Sequence, residues 1–297
     1  MMAAITEHDV TTPDGRTLRV REAGAPDGPV LLAHHGTPGS GLFYRSELEG
    51  AARLGARLLA YDRPGYGGST PRRDRTVADA VADVEAILDA FGVSRFATYG
   101  WSGGGPHALA CAALLPGRCA AAATVAGVGP ADAADLDWLA GMGEGNHAEF
   151  GAAREGREAL EELCRAEAGG ILAAAPSDLA DAMRPHLSDL DAQALTGELA
   201  EYLLEAMAVG LRPGIDGWVD DDYAFLAPWG FDPEAMTVPV LVQQGEHDLM
   251  VPAGHADWLL RHVAGAEGGL LPDEGHLTLF ARRIGDIQAW LLSRSAG

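Results

Sequence analysis

Short apolar runs and helix-spaced apolar positions take turns along most of this chain. Val30-Leu31-Leu32-Ala33-His34 and Arg57-Leu58-Leu59-Ala60-Tyr61 are nearly continuous apolar runs, which predict strands buried on both faces. Ahead of them, Ile5–Thr12 and Arg16–Ala23 flank Pro13-Asp14-Gly15, the signature of a hairpin. Val77, Val81, Val84, Leu88 and Phe91 then recur along one helix face. Thr76 predicts the start of that helix, with Asp79 three residues on as a shortened capping box, and Gly92 predicts its end. Phe96–Tyr99 and Ala121–Val128 predict two further buried strands. The helix between them carries Pro106 in its first turn and runs through Leu109–Leu115. Strands separated by helices predict an α/β fold, with a mostly parallel sheet covered on both faces.

From about Gly129 to Asp232 that rhythm breaks. This segment is rich in Ala, Glu and Asp, with helical stretches at Ala152–Glu167 and Ala192–Val209 and no buried-strand pattern. The alternation resumes at Val238–Gln243, followed by Trp258-Leu259-Leu260, Gly269-Leu270-Leu271 and a last helix, Phe280–Leu292. The expected organisation is one α/β core in two parts, residues 1–128 and 233–297, with a helical cap inserted at 129–232. There is no internal repeat and no linker that would separate independent domains.

Candidate chemistry gathers where the predicted strands end. Gly100-Trp101-Ser102-Gly103-Gly104 fits the pattern G-x-S-x-G and sits between a predicted strand and a predicted helix. Glycines flank the serine because such a turn leaves no room for Cβ atoms, and the serine is held strained and exposed as a nucleophile. After the strand near Gln244 comes Gly245-Glu246-His247-Asp248, and after the next comes Asp273-Glu274-Gly275-His276. The carboxyl ends of strands are the edge where open parallel sheets bind ligands. The order Ser102, Asp248, His276 is the order that accompanies this serine turn. His247 and His255 are the fallback bases, and Glu246, Asp257, Asp273 and Glu274 are the competing acids. His34-His35-Gly36-Thr37-Pro38-Gly39, at an earlier strand end, can aim the Thr37 amide at an oxyanion also held by the Gly103 amide. His35 is expected to shape that loop rather than transfer protons.

Composition narrows the chemistry further. All 21 basic residues are arginine, so there is no lysine for a Schiff base, a Walker A loop or a Ser-x-x-Lys arrangement. A histidine is the natural activator for the serine. Acidic residues outnumber basic ones 43 to 21, giving a net charge of −22 spread along the chain. That argues for a solvated acidic surface and against a nucleic-acid partner. No apolar run is long enough to span a membrane, and the first residues lack the pattern of a signal peptide. Cys111, Cys119 and Cys164 form no CxxC, which suits structural thiols in a reducing cytoplasm. Asp62–Ser69 lacks the lysine of a phosphate cradle and reads as a structural turn. Asp220-Asp221-Asp222 lacks metal-ligand spacing and reads as a solvated turn. Neither a cofactor nor a metal is expected. The aromatic cap residues, among them Trp138, Phe150, Tyr202, Trp218 and Phe225, either line an apolar pocket or pack the cap on the core.

Taken together, His35–Gly39, Tyr61–Ser69, Gly100–Gly104, Gly245–Asp248 and Gly275-His276 resemble the α/β-hydrolase superfamily. The resemblance covers nearly the whole chain outside the cap. It implies a sheet of about eight strands, a cofactor-independent triad of Ser102, Asp248 and His276, and a lid over the site. The branches it resembles most are cap-bearing esterases, proline-iminopeptidase-like peptidases and carbon–carbon bond hydrolases. The expected activity is hydrolysis of a small carboxylic ester or related acyl substrate, lost below about pH 6 as His276 is protonated. The iminopeptidase-like reading would use acidic cap residues such as Glu201 and Glu205 to bind a substrate amine. Two alternatives remain open, an acyltransferase and a non-catalytic ligand-binding protein of the same fold. The sequence leaves the oligomeric state open.

Overall fold

The computed structural model describes residues 4–295. Among these residues eight strands form one sheet: β1 (Thr6–Thr11), β2 (Thr17–Gly24), β3 (Val30–His34), β4 (Arg57–Tyr61), β5 (Phe96–Trp101), β6 (Cys119–Val125), β7 (Val240–Gly245) and β8 (Glu267–Leu271). Their spatial order is β1-β2-β4-β3-β5-β6-β7-β8. The β1–β2 and β2–β4 pairs are antiparallel and all later pairs are parallel, so the expected α/β class holds.

The alternation of the strands explains the two layers of helices. Leu31, Leu58, Ala60, Ala121, Ala123 and Leu241 point to one face, where α1 (Arg45–Leu54) and the last helix, His276–Ser295, cover them. Leu32, Leu59, Ala122, Val240 and Val242 point to the other, under α2 (Ala80–Ala90), α3 (Gly105–Leu114) and the helix Ala253–His262. Helix α2 starts four residues later than Thr76 suggested. Thr76 instead opens a tight turn with i→i+3 bonds, in which the Asp79 carboxylate accepts from the Thr76 amide at 2.7 Å and its hydroxyl at 3.0 Å. Gly92 ends the helix as expected, with φ +65° and the Val93 amide reaching back to the Leu88 carbonyl. Strand β6 stops at Val125 rather than Val128 because Ala126 turns left-handed at φ +50°. All three cysteines are free and buried.

Between β6 and β7 the regular elements are helices: α4 (Glu144–Glu155), α5 (Arg157–Ala173), α6 (Leu179–Ala182), α7 (Asp189–Ala194), α8 (Gly197–Gly210) and α9 (Asp216–Leu226). The helix expected at Ala152–Glu167 is divided by Gly156, whose φ of +140° no ordinary side chain favours. The stretch Ala192–Val209 is likewise divided, between α7 and α8. Helix α10 (Ala253–His262) holds Trp258-Leu259-Leu260, and α11 (His276–Ser295) ends the described chain.

One expectation for this segment is overturned. Asp220, Asp221 and Asp222 form no solvated turn; they lie inside α9 and are 2%, 0% and 1% exposed. Their charges have partners from distant parts of the chain. Asp220 pairs with Arg157 on α5 at 2.7 Å. Asp221 pairs with Arg63 and Arg75, each at 2.6 Å, and accepts from the Thr37 hydroxyl at 2.7 Å and the Tyr66 hydroxyl at 2.9 Å. Burial alone would push the Asp221 carboxyl up, but the two guanidiniums outweigh it and hold it well below the usual carboxylate range.

Removing that charge leaves two buried guanidiniums without their counter-charge. Asp221→Asn is expected to lower the unfolding free energy by about 3–5 kcal/mol in urea titrations at neutral pH. The sign with pH follows from the depressed value: this contribution is full above the unfolded carboxylate value and is lost as pH falls through the folded one. An unchanged unfolding midpoint at pH 7 would show that the cluster does not anchor α9.

Candidate active site

Strand β5 delivers Ser102 to the carboxyl edge of the sheet. The serine sits at φ +54°, a left-handed conformation that a non-glycine residue adopts only under constraint. The constraint is steric closeness. A Cβ on Gly100 would overlap the Gly104 carbonyl, and a Cβ on Gly104 would overlap the His34 carbonyl of the neighbouring strand. A Cβ on Gly103 would overlap the Thr37 hydroxyl, so the serine turn and the His35–Gly39 loop are in contact. His107, one turn into α3, donates from Nδ1 to the Gly103 carbonyl at 2.9 Å and fixes that peptide. Burial pushes its imidazole down to about 3, so it stays neutral.

The loop after β3 is held from behind by Arg63, which is 1% exposed. Its guanidinium donates to the His35 carbonyl, to the Gly36 carbonyl at 3.2 Å and to the Thr37 hydroxyl at 2.8 Å. His35 closes the same loop, donating from Nδ1 to the Gly36 carbonyl at 2.7 Å while Nε2 accepts from the Arg63 amide at 3.1 Å. Asp62 accepts from the Gly41 amide at 2.8 Å, the Gly68 amide at 3.0 Å and the Arg21 guanidinium at 2.6 Å, which gives Tyr61–Ser69 a structural part as expected.

On the other side of Ser102, the Nδ1 of His276 donates to Asp248 Oδ2 at 2.7 Å, with both side chains buried. The other Asp248 oxygen accepts the Met250 and Val251 amides, each at 2.8 Å, and Gln244 Nε2 donates to Oδ2 at 2.7 Å. The rivals fall away by position. Glu246, His247, Asp257 and Asp273 are exposed. Glu274 faces Arg282 and Arg283, and His255 is spent between the Gly129 amide and the Trp138 carbonyl. Burial lowers the His276 imidazole, but Asp248 and then Asp191 outweigh it, so the net displacement is upward. Trp101 lies against both sides of the site, 5.3 Å from the His276 ring and stacked on Phe280 at 4.6 Å.

Ser102, His276, Thr37 and Gly103 share the wall of a cavity of about 590 Å3 roofed by the helices between β6 and β7. Phe150, Tyr202, Trp218 and Phe225 line it, whereas Trp138 serves only the packing. Glu201 and Glu205 are exposed and not among the lining residues. The acidic lining comes instead from Glu144, Glu149, Glu167 and Asp222, with no arginine beside them. Burial pushes the Glu149 carboxyl up, with Asp222 and Trp218 opposing it. Burial, then the neighbouring Glu149, drives Asp222 well above the carboxylate range and Glu167 up to about 7. Two further residues were given no part in the site by the sequence: Asp191, which carried no signal, and Arg63, which was legible only as a member of the structural turn Asp62–Ser69. Each acts through contacts with chain far from it in sequence.

Among the described residues no helix is long and apolar enough to cross a membrane, and no cluster of His, Cys, Asp and Glu has the arrangement of a metal site. A family model described as the alpha/beta hydrolase fold matches residues 29–282. An epoxide hydrolase from Caballeronia sordidicola is 33% identical over 38% of this chain and 35% of its own length. A proline iminopeptidase from Xanthomonas citri is 36% identical over 34% of this chain and 33% of its own. The chain thus spans about a third of the length of the curated relatives it matches. A thermophilic esterase structure from Thermogutta terrifontis superposes with a TM-score of 0.70 at 20% identity, covering 98% of this chain and all of that one. At that identity the likeness is one of fold.

The opposed environments of two buried histidines can be checked directly. In a proton NMR titration His276 should titrate above about 6.5 and His255, which burial pushes down, near about 4. Asp248→Asn should move the His276 midpoint down; an unmoved midpoint would break the pairing of these two side chains.

Proposed function

The chain belongs to the alpha/beta hydrolase fold family, and from there we propose that it is a serine hydrolase acting on a small carboxylic ester or related acyl substrate. The observation that carries this reading is the buried His276–Asp248 pair facing the same cavity as the strained Ser102. Asp248 fixes the His276 tautomer by accepting its Nδ1–H, which leaves Nε2 as the base. His276 takes the Ser102 hydroxyl proton as Oγ attacks the carbonyl carbon. The Thr37 and Gly103 amides stabilise the oxyanion, at about 3 kcal/mol for a strong donor. The imidazolium then gives its proton to the leaving alcohol, and water repeats the cycle on the acyl-enzyme. No step needs a cofactor or metal, and the partner is a small molecule.

A second reading has its own support. Four carboxyl groups line the cavity without an arginine, which favours an acyl substrate bearing an amine and would suit an aminopeptidase-like activity. A cation entering there would hold the Glu149–Asp222 pair ionised. Glu149→Gln and Asp222→Asn are expected to reduce kcat/KM for aminoacyl p-nitrophenyl esters about tenfold or more and to spare p-nitrophenyl acetate. Equal losses on both substrates would leave the neutral ester reading.

Ser102→Ala is expected to lower p-nitrophenyl acetate turnover by about ten-thousand-fold and to abolish fluorophosphonate labelling. Labelling of the variant at the wild-type rate would remove Ser102 from the reaction. A wild-type protein that neither labels nor turns over would favour the non-catalytic reading. Products assayed with and without an added alcohol separate hydrolysis from acyl transfer. The acid limb of kcat/KM should fall above about pH 6.5, higher than an ordinary imidazole would place it, because the raised His276 is protonated earlier as pH drops. A rate that stays flat down to pH 4 would exclude a histidine base.

A further inference from the structure

Helix α11 begins at His276 itself, so the candidate base occupies the first turn of a helix whose leading amides have no partner within it. Those amides are capped from another element. Asp191 on α7, fully buried, accepts from the His276 amide at 2.8 Å through Oδ2 and from the Leu277 and Thr278 amides at 2.9 and 3.1 Å through Oδ1. The approach is close enough that a Cβ on Gly275 would overlap the carboxylate. Asp191 is itself fixed: the Ser188 hydroxyl donates to Oδ2 at 3.0 Å and accepts from the Asp191 amide at 3.2 Å. The carboxylate therefore spans three backbone donors of α11 while belonging to the helical segment over the cavity.

We propose that Asp191 is a positioning residue for His276, through which the helical segment sets the placement and basicity of the base in the reaction proposed above. The geometry assigns this role by two routes. Its hydrogen bonds fix the backbone from which the imidazole projects, while Asp248 fixes the ring itself. Bonds from amides to a carboxylate are charge-assisted, and a negative group also suits a helix N-terminus. Its charge also stabilises the imidazolium that forms when Ser102 loses its proton. The charged groups acting on this ring are Asp248, from the loop after β7, and Asp191, from α7. Glu274, two residues upstream, is turned to Arg282 and Arg283. The inference rests on the serine-hydrolase reading for its effect on turnover but not for its effect on the imidazole.

Asp191→Asn keeps the size of the side chain, removes its charge and sets an amide NH2 against backbone donors. The full chain carrying it is compared with wild type by NMR titration of the His276 ring and by p-nitrophenyl acetate kinetics. The ring midpoint is expected to fall by about one pH unit, and kcat about tenfold or more with KM within about threefold. The acid limb of the rate should move down with the ring. Loss of stability alone would move neither midpoint. Should Asp191→Asn fail to fold, Ser188→Ala removes only the hydroxyl that steadies the carboxylate and should give a smaller change in the same direction. A ring midpoint and kcat that both match wild type, in a variant that has merely become less stable, would overturn the proposal. If the wild-type protein turns over no acyl ester, the functional reading fails while the ring titration still decides the role of Asp191.

Discussion

Two arginines that cannot lose their protons are buried behind the loop after β3, and one carboxylate, Asp221, makes that burial tolerable. Much of the candidate site depends on this pairing. Arg63 is bound to Asp221 on one edge and spends its other donors on the carbonyls and hydroxyl of His35, Gly36 and Thr37. Asp221 in turn fixes α9, and α9 brings Phe225 against the glycine that follows Ser102. A charge requirement in the core thus fixes the His35–Gly39 loop, the helix above it and the apolar wall of the cavity together.

The same electrostatics divides the acidic residues into two populations. Most of the −22 charge lies on solvated surface, where pairs such as Arg45–Glu49 contribute little. A smaller set is buried, and there the environment decides the protonation state. Asp221 and Asp248 sit among hydrogen-bond donors and cationic groups. Asp222 and Glu149 sit beside each other and are pushed up, where Asp221 is held down. Residues identical in sequence and adjacent in the chain, Asp221 and Asp222, therefore hold opposite tendencies one position apart.

The middle of the sheet was legible because its inner strands are buried on both faces, so continuous apolar runs such as Val30–His34 had no competing interpretation. The serine turn was legible because the glycines around Ser102 answer a local steric demand written into five consecutive residues. Asp248 could be chosen over its neighbours because it follows β7 by one short turn. The acidic triplet at Asp220 was not legible. Its partner Arg63 is 158 residues away, and in sequence a paired buried carboxylate looks the same as a solvated one. Asp191 was hidden for the same reason, since its acceptors serve amides 85 to 87 residues downstream. Helix boundaries slipped where a tight turn took the place of a first helical turn, as at Thr76, or where one glycine changed hand, as at Gly156.

The helices between β6 and β7 look like a separable attachment, joined to the core at two points of the chain. Their buried aspartates say otherwise. Asp221 is wired to the loop around Thr37 and Asp191 to the backbone of His276, so the segment carries structural supports of both halves of the candidate site. An engineer who exchanged this segment for another, hoping to inherit a new pocket on an old engine, would also remove those supports. The transplantable unit is larger than the roof. It includes Arg63, Arg75, the loop around Thr37 and the first turn of α11, and a graft that respects only the two junctions would leave two guanidiniums and a helix end without their counterparts.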